Sequence, residues 1–237
     1  MIFRYSALDT AYHCLKKYEN IYVRGLKQEG HSIDLEFGTA LHMGLKDIRE
    51  GGTGELSYTM YWDSVADKQF TKSRFDHAEL RKLGLTFLER FNKLHAKKFK
   101  VFKLEEAMET TLEGFTLQGT ADVVGDYEGI PSIVDFKTSA KEYPKEKIIK
   151  NPQMYIYALM ANKLWGYEAK QLVYKVFIKT EGRIQTVKTE LTKDKLDDMI
   201  NNELIMIRDL ASRKEFPRNP NCFCNFPGIC YPKGGIK

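Results

Sequence analysis

The spacing of apolar positions changes along the chain. In the first hundred residues it follows a helical period. "YSALDTAYHCLKKY" predicts a helix opened by Ser6, with Asp9 three residues on as a capping-box variant, and running to about Tyr18. "EFGTALHMGLKDIREG" predicts a second helix stopped by Gly51 and Gly52. A glycine-rich insert follows, then a long amphipathic helix in "FDHAELRKLGLTFLERFNKLHAKK". From about residue 100 the period becomes strand-like in "VFKLEEAMETTL", "FTLQGTADVVG" and "SIVDFKT", with turns at "LEGF" and "DYEG". Asn151 then caps a helix that has Pro152 in its first turn and Gly166 at its end. A hairpin, "LVYKVFIKT-EGR-IQTVKTEL", precedes a last helix through roughly Lys214, and the tail "EFPRNPNCFCNFPGICYPKGGIK" reads as irregular. Three strands, a helix and a further strand pair, flanked by N-terminal helices, predict an α/β domain layered around a mixed sheet.

One hairpin breaks the pattern of its own strands. "GTADVVGDYEGIPSIVDFKTS", residues 119–139, carries Asp122, Asp135 and Lys137 among Val123, Val124, Ile133, Val134 and Phe136. Burying an unpaired carboxylate costs several kcal/mol or forces protonation. A symmetric turn between Glu128 and Gly129 would place Asp122 directly across from Asp135, with Cβ atoms about 4.5–5.5 Å apart. Carboxylates that close need a cation between them. Lys137, two residues on and on the same face, is one candidate. A divalent ion is the stronger one, since Mg²⁺ takes one or two carboxylates.

Composition sets limits on the rest. The chain has 237 residues, 43% hydrophobic, enough for a substantial core. Its net charge of +5 permits a polyanionic partner without demanding one. No signal peptide or membrane-length apolar run is visible, so a cytoplasmic protein without membrane attachment is expected. In that compartment the four cysteines are not expected to form stable disulfides.

Four groups of residues then fall into an ordered series: Gly38-x-x-x-His42, Gly119-x-x-Asp122, Asp135-x-Lys137 and Gln153-x-x-x-Tyr157, on helix, strand, strand and helix. In this order the chain resembles the PD-(D/E)XK nuclease superfamily. Within it, the match is to the RecB-type exonuclease branch, with its AddAB nuclease domains, iron–sulfur CRISPR-associated nucleases and phage recombination exonucleases. The resemblance runs from "YSALDTAYHC" to "CNFPGIC"; Ala121 stands where the superfamily name has proline. It implies a restriction-endonuclease-like core spanning 1–237 as a single domain. His42, Asp122, Asp135 and the Phe136 carbonyl would hold Mg²⁺ or Mn²⁺. Lys137 would orient or deprotonate the attacking water or stabilise charge on the phosphorane, and Gln153 and Tyr157 would line the site. Glu105 or Glu106 would add a contact behind Asp122 or to a second metal ion.

The resemblance also bears on Cys14, Cys222, Cys224 and Cys230. In this branch one N-terminal cysteine and a C-terminal trio often bind a 4Fe–4S cluster, which here would join residues 1–20 to 215–237. The trio Cys222-x-Cys224-x5-Cys230 has one residue fewer between its first two members than the familiar spacing, and zinc also accepts four thiolates. The implied activity is metal-dependent hydrolysis of DNA from its ends, without sequence specificity, in recombination or repair and of phage type. The alternatives are a CRISPR-associated nuclease trimming spacer precursors and a non-catalytic DNA-binding subunit. A single-strand-annealing or recombination protein is a candidate partner. Lys141, Lys145, Lys147 and Lys150, with Tyr143 among them, would contact a substrate strand or form a solvated charge run. His13, His31, His77 and His95 read as surface or packing residues.

Overall fold

The computed structural model describes residues 2–27, 32–70, 73–221 and 226. It begins with a strand the sequence pattern does not announce, β1 (Ile2–Arg4). Helices α1 (Tyr5–His13) and α2 (Leu15–Tyr18) follow, separated by Cys14 in an extended conformation. The expected capping box at Ser6 and Asp9 does not form. A cap needs an extended residue, and Arg4 holds that place (φ −112°, ψ 148°), which leaves Ser6 and Asp9 inside the helix. Asp9 instead accepts a hydrogen bond from the Tyr5 hydroxyl (3.3 Å).

Helices α3 (Ile33–Arg49), α4 (Glu55–Ser64) and α5 (His77–Leu94) form one layer. The stretch expected as a glycine-rich insert thus contains α4. Only Tyr58 and Trp62, one turn apart, are buried on it, while Leu56 and Met60 face outward and mask the period. Helix α5 starts from a capping box between Asp76 and Glu79.

Strands β2 (Phe99–Leu112), β3 (Phe115–Tyr127) and β4 (Ile130–Ser139) run as a meander. A short α6 (Lys145–Ile149) occupies the lysine-rich stretch. Helix α7 (Pro152–Trp165) has the caps its sequence predicts: Asn151 Oδ1 accepts from the Gln153 amide (2.8 Å), and Gly166 closes the end at φ 64°. Strands β5 (Gln171–Ile178) and β6 (Arg183–Glu190) and helix α8 (Lys193–Ser212) complete the described chain.

The sheet order is β1-β3-β4-β5-β6, with β2 also on β3. The β1–β3 and β4–β5 pairs are parallel and the others antiparallel, so the sheet is mixed, as expected. One face packs Val124, Ile133 and Leu172 under Leu8, Met160 and Leu204 of α1, α7 and α8. The other packs Val123, Val134 and Phe177 under Phe37, Tyr58 and Phe87 of α3, α4 and α5. Among the described residues no helix is long and apolar enough to cross a membrane.

One detail of the pairing makes the site. Strand β3 pairs with β1 through Gln118 and with β4 from Val123 onward. Residues Gly119 to Asp122 therefore have no strand beside them on that side, and β4 leaves β3 to run along β5.

Candidate active site

Asp122 and Asp135 sit at this fork. The β3–β4 register pairs Val123 with Val134 and Tyr127 with Ile130, the register that the symmetric turn predicts, and the two aspartates lie one step past the last pair. Both are buried, 8% and 3% exposed. The strands part beyond Val123 and Val134, and the Asp122 side chain crosses the gap to accept from the Phe136 amide through Oδ2 (2.6 Å).

Two cations serve the two carboxylates. His42, projecting from α3, places Nδ1 3.3 Å from Asp122 Oδ1, and its Nε2 hydrogen-bonds the Phe136 carbonyl (3.1 Å). Lys137 Nζ lies 2.7 Å from Asp135 Oδ2 as an ion pair, and that buried oxygen has no other polar partner among the described residues. Lys137 also donates to Gln153 Oε1 (3.1 Å), and Gln153 Nε2 donates to the Tyr157 hydroxyl (3.0 Å). The i, i+4 spacing on α7 puts both in line with the lysine.

Burial pushes both carboxyls up, but their neighbours decide differently. His42, then Lys137 and the Phe136 amide, hold Asp122 below the usual carboxylate range. For Asp135 burial prevails over Lys137, and the Asp122 charge adds to it, giving a pKa of about 6. Burial would lower His42, yet the Asp122 charge and hydrogen bond lift it to about 9. Burial would also lower Lys137, and Asp135 with Asp122 raises it well above an ordinary lysine. Lys137 is therefore firmly an ammonium in this arrangement.

Glu105 lies on β2 where the register sets it across from Asp122, and its backbone is left-handed (φ 46°). Burial and then the Asp122 charge raise its pKa, and Lys46 Nζ stands 3.7 Å away. Glu106 falls opposite Ala121 and is exposed. The two motif glycines differ in purpose. A Cβ on Gly119 would come within 2.5 Å of the Tyr157 ring, whereas one on Gly38 would meet nothing closer than Thr138 Oγ1 at 3.8 Å. Tyr174, which sequence reasoning did not single out, lies beneath Lys137 (5.9 Å from Nζ to the ring centre). Only the β4–β5 register, pairing Asp135 with Tyr174, could have revealed it.

Tyr143 is half-buried, edge-on to Tyr174, with Lys147 Nζ 3.8 Å above its ring. Its ring is thus engaged within the chain, while Lys141, Lys145 and Lys150 are exposed. His77 stacks on Trp62 (4.5 Å), a packing role, and His95 Nδ1 hydrogen-bonds the buried Lys175. Cys14 is buried, and its Sγ accepts from the Asn219 amide (3.5 Å). Cys222, Cys224, Cys230 and His31 lie outside the described residues.

Among the described residues no three His, Cys, Asp or Glu side chains are gathered to hold an ion as they stand. The donor chemistry nevertheless fits one. Two buried carboxylates, an imidazole and the Phe136 carbonyl are oxygen and nitrogen donors of the sort Mg²⁺ and Mn²⁺ accept, and Asp135 Oδ2 has no polar partner besides Lys137 among the described residues.

Comparison with known proteins gives the class. The model of the PD-(D/E)XK nuclease superfamily matches residues 3–231, and the chain belongs to that superfamily. A solved structure of a candidate exonuclease from Eubacterium rectale is similar over 99% of this chain and 88% of its own, with a TM-score of 0.64 and 14% identity. At that identity the likeness speaks for the fold. Rai1 from Scheffersomyces stipitis aligns over 90% of this chain and 68% of its own at 12% identity and a TM-score of 0.27, too distant to carry an argument. No curated protein matches the chain.

Proposed function

We propose that this chain is a Mg²⁺- or Mn²⁺-dependent deoxyribonuclease that hydrolyses phosphodiester bonds from DNA ends without sequence specificity, in recombination or repair and of phage type. The observation that carries the reading is the buried fork of Asp122 and Asp135 with Lys137 and His42 set against it. A domain kept only to hold DNA would have no use for two desolvated carboxylates. The ion would be held by Asp122, Asp135, His42 and the Phe136 carbonyl. When bound it would polarise the phosphoryl oxygen and lower the pKa of the attacking water.

The protein side chains have separate tasks. Lys137, kept protonated by its carboxylates, serves as a donor to the negative charge that grows on the phosphoryl oxygens, which favours charge stabilisation over proton removal. Gln153 fixes the ammonium, and Tyr157 fixes Gln153. Asp122 aligns the peptide at Phe136 and so the carbonyl on its other side. Release from DNA ends is in keeping with the name given to the Eubacterium rectale protein, though fold alone links the two.

The 4Fe–4S cluster on Cys14, Cys222, Cys224 and Cys230 belongs to the same proposal. Support comes from the chain's path: Lys16 donates to the Pro217 carbonyl (3.1 Å), and Asn219 bonds both Cys14 Sγ and the His13 carbonyl. Cys222 follows three residues later in sequence. Anaerobically purified protein should hold about four irons per chain; colourless protein with stoichiometric zinc would replace iron by zinc. The activity is tested with end-labelled linear and circular DNA, single- and double-stranded, in Mg²⁺, Mn²⁺ or EDTA. Metal-dependent loss of linear DNA is expected. Circular DNA cut as fast as linear would rule out the exonuclease.

A further inference from the structure

The unpaired side of β3 opens into a cavity of about 570 Å³ that shares Gln153 and Tyr157 with the fork. Its floor is a polar ladder across three strands. Arg4 of β1 donates through Nε and Nη2 to Gln118 Oε1 of β3 (3.1 and 3.0 Å), and Gln118 Nε2 donates to Glu109 of β2 (2.6 Å). Each is the register partner of the next. Arg4 is exposed and, among the described residues, hydrogen-bonds an amide, with the Glu109 carboxylate at the far end of the ladder. The Tyr157 ring, 5% exposed, packs behind the cavity, and it comes this close to β3 only because residue 119 has no Cβ.

A volume in this range suits one nucleotide-sized group. An exposed guanidinium at one end and the Lys137–Gln153 pair beyond are donors suited to successive phosphates of one strand. We propose that this cavity is the subsite for the nucleotide next to the scissile bond, with Arg4 taking the neighbouring phosphate. This assignment rests on the nuclease reading above. It adds Arg4 and Gln118 to the substrate-binding residues and makes Gly119 a positioning residue.

The test is anisotropy of a short fluorescein-labelled oligodeoxythymidylate in EDTA, where cleavage is absent, over a salt series. Arg4→Ala should lower affinity several-fold and shrink the slope of log K against log salt by about 0.7, one phosphate contact to a single strand. A pair of charge changes at Ala107, an exposed residue of the cavity lining, checks against mere disturbance: Ala107→Lys should tighten binding and Ala107→Glu weaken it. Unchanged affinity and slope in Arg4→Ala, or both Ala107 variants shifting the same way, would overturn the subsite. Wild-type cleavage in Mg²⁺ or Mn²⁺ is scored separately. A protein that binds as described but cuts nothing retains the subsite and loses the nuclease reading, while cleavage with an inert Arg4 does the reverse.

Discussion

Asp122 and Asp135 are both buried, yet their acidities are pushed apart, and that division organises the residue scale. Asp122 has a hydrogen-bonded imidazole and a backbone amide; Asp135 has the one Lys137 ammonium. Asp135→Ala should therefore abolish cleavage and weaken Mn²⁺ binding by calorimetry, as should Asp122→Ala. Lys137→Ala should spare metal binding while lowering kcat by about 10²–10³, the usual loss for one preorganised donor to developing charge. Near-normal turnover in Asp135→Ala would mean that the fork is not the active site. His42 carries a further signature. Its pKa of about 9 means that it is protonated at pH 7 and must give up that proton to become a ligand, so Mn²⁺ should bind more tightly as pH rises toward 9. In calorimetry, the heat of binding at pH 7.5 should depend on the buffer's ionisation enthalpy and lose that dependence in His42→Ala. A buffer-independent heat in the wild type would remove His42 from the ligand set.

At the scale of elements, packing decides what sequence period cannot. The charged hairpin was legible in its register up to Val123 and Val134, because a short symmetric turn leaves one pairing and the interleaved apolar residues fix the faces, whereas the parting of the strands at Asp122 and Asp135 was not. The α7 caps were legible for a similar reason: each is a local hydrogen bond carried by a residue type suited to it. What escaped were elements whose reason lies elsewhere in the chain. Three residues of β1 are a strand only because Thr116–Gln118 lie beside them, and α4 carries just two core residues. Helix α4 is held through Tyr58, stacked on Trp62, with its hydroxyl donating to the Leu80 carbonyl of α5 (2.8 Å). Gly84 of α5 leaves the room: a Cβ there would meet the Tyr58 ring and hydroxyl at 2.2 Å. By helix propensity Gly84→Ala should gain about 1 kcal/mol, but overpacking a core contact costs about 1–3 kcal/mol. We expect overpacking to win, with a lower urea midpoint. A raised midpoint would show that the α4–α5 contact yields freely.

For the molecule as a whole, the sheet buries one charge that no carboxylate of the described residues contacts directly. Lys175 of β5 is fully buried, on the face of the sheet away from Asp135, within hydrogen-bond reach of Thr186 Oγ1 (2.6 Å), His95 Nδ1 (2.9 Å) and the Tyr127 hydroxyl (3.3 Å). Burial, then Lys98, lowers its pKa from 10.5 to about 7. Between those values the unfolded chain binds the proton and the folded chain does not, so this group makes stability rise with pH from about 7 to 10.5. Below pH 7 the full penalty of a buried ammonium is present. The slope it contributes is at most about 1.4 kcal/mol per pH unit, one proton's worth. Lys175→Met removes the titration while keeping comparable volume, at the cost of partners for Thr186 and Tyr127. Whatever that fixed cost, the stability of Lys175→Met relative to wild type should be greatest at pH 6 and fall steadily as pH goes from 7 toward 10. Urea unfolding of both proteins across that range measures it directly. Parallel stability curves would mean that Lys175 keeps its proton in the folded protein, with the cluster of His95, Tyr127 and Thr186 sufficient to solvate the charge.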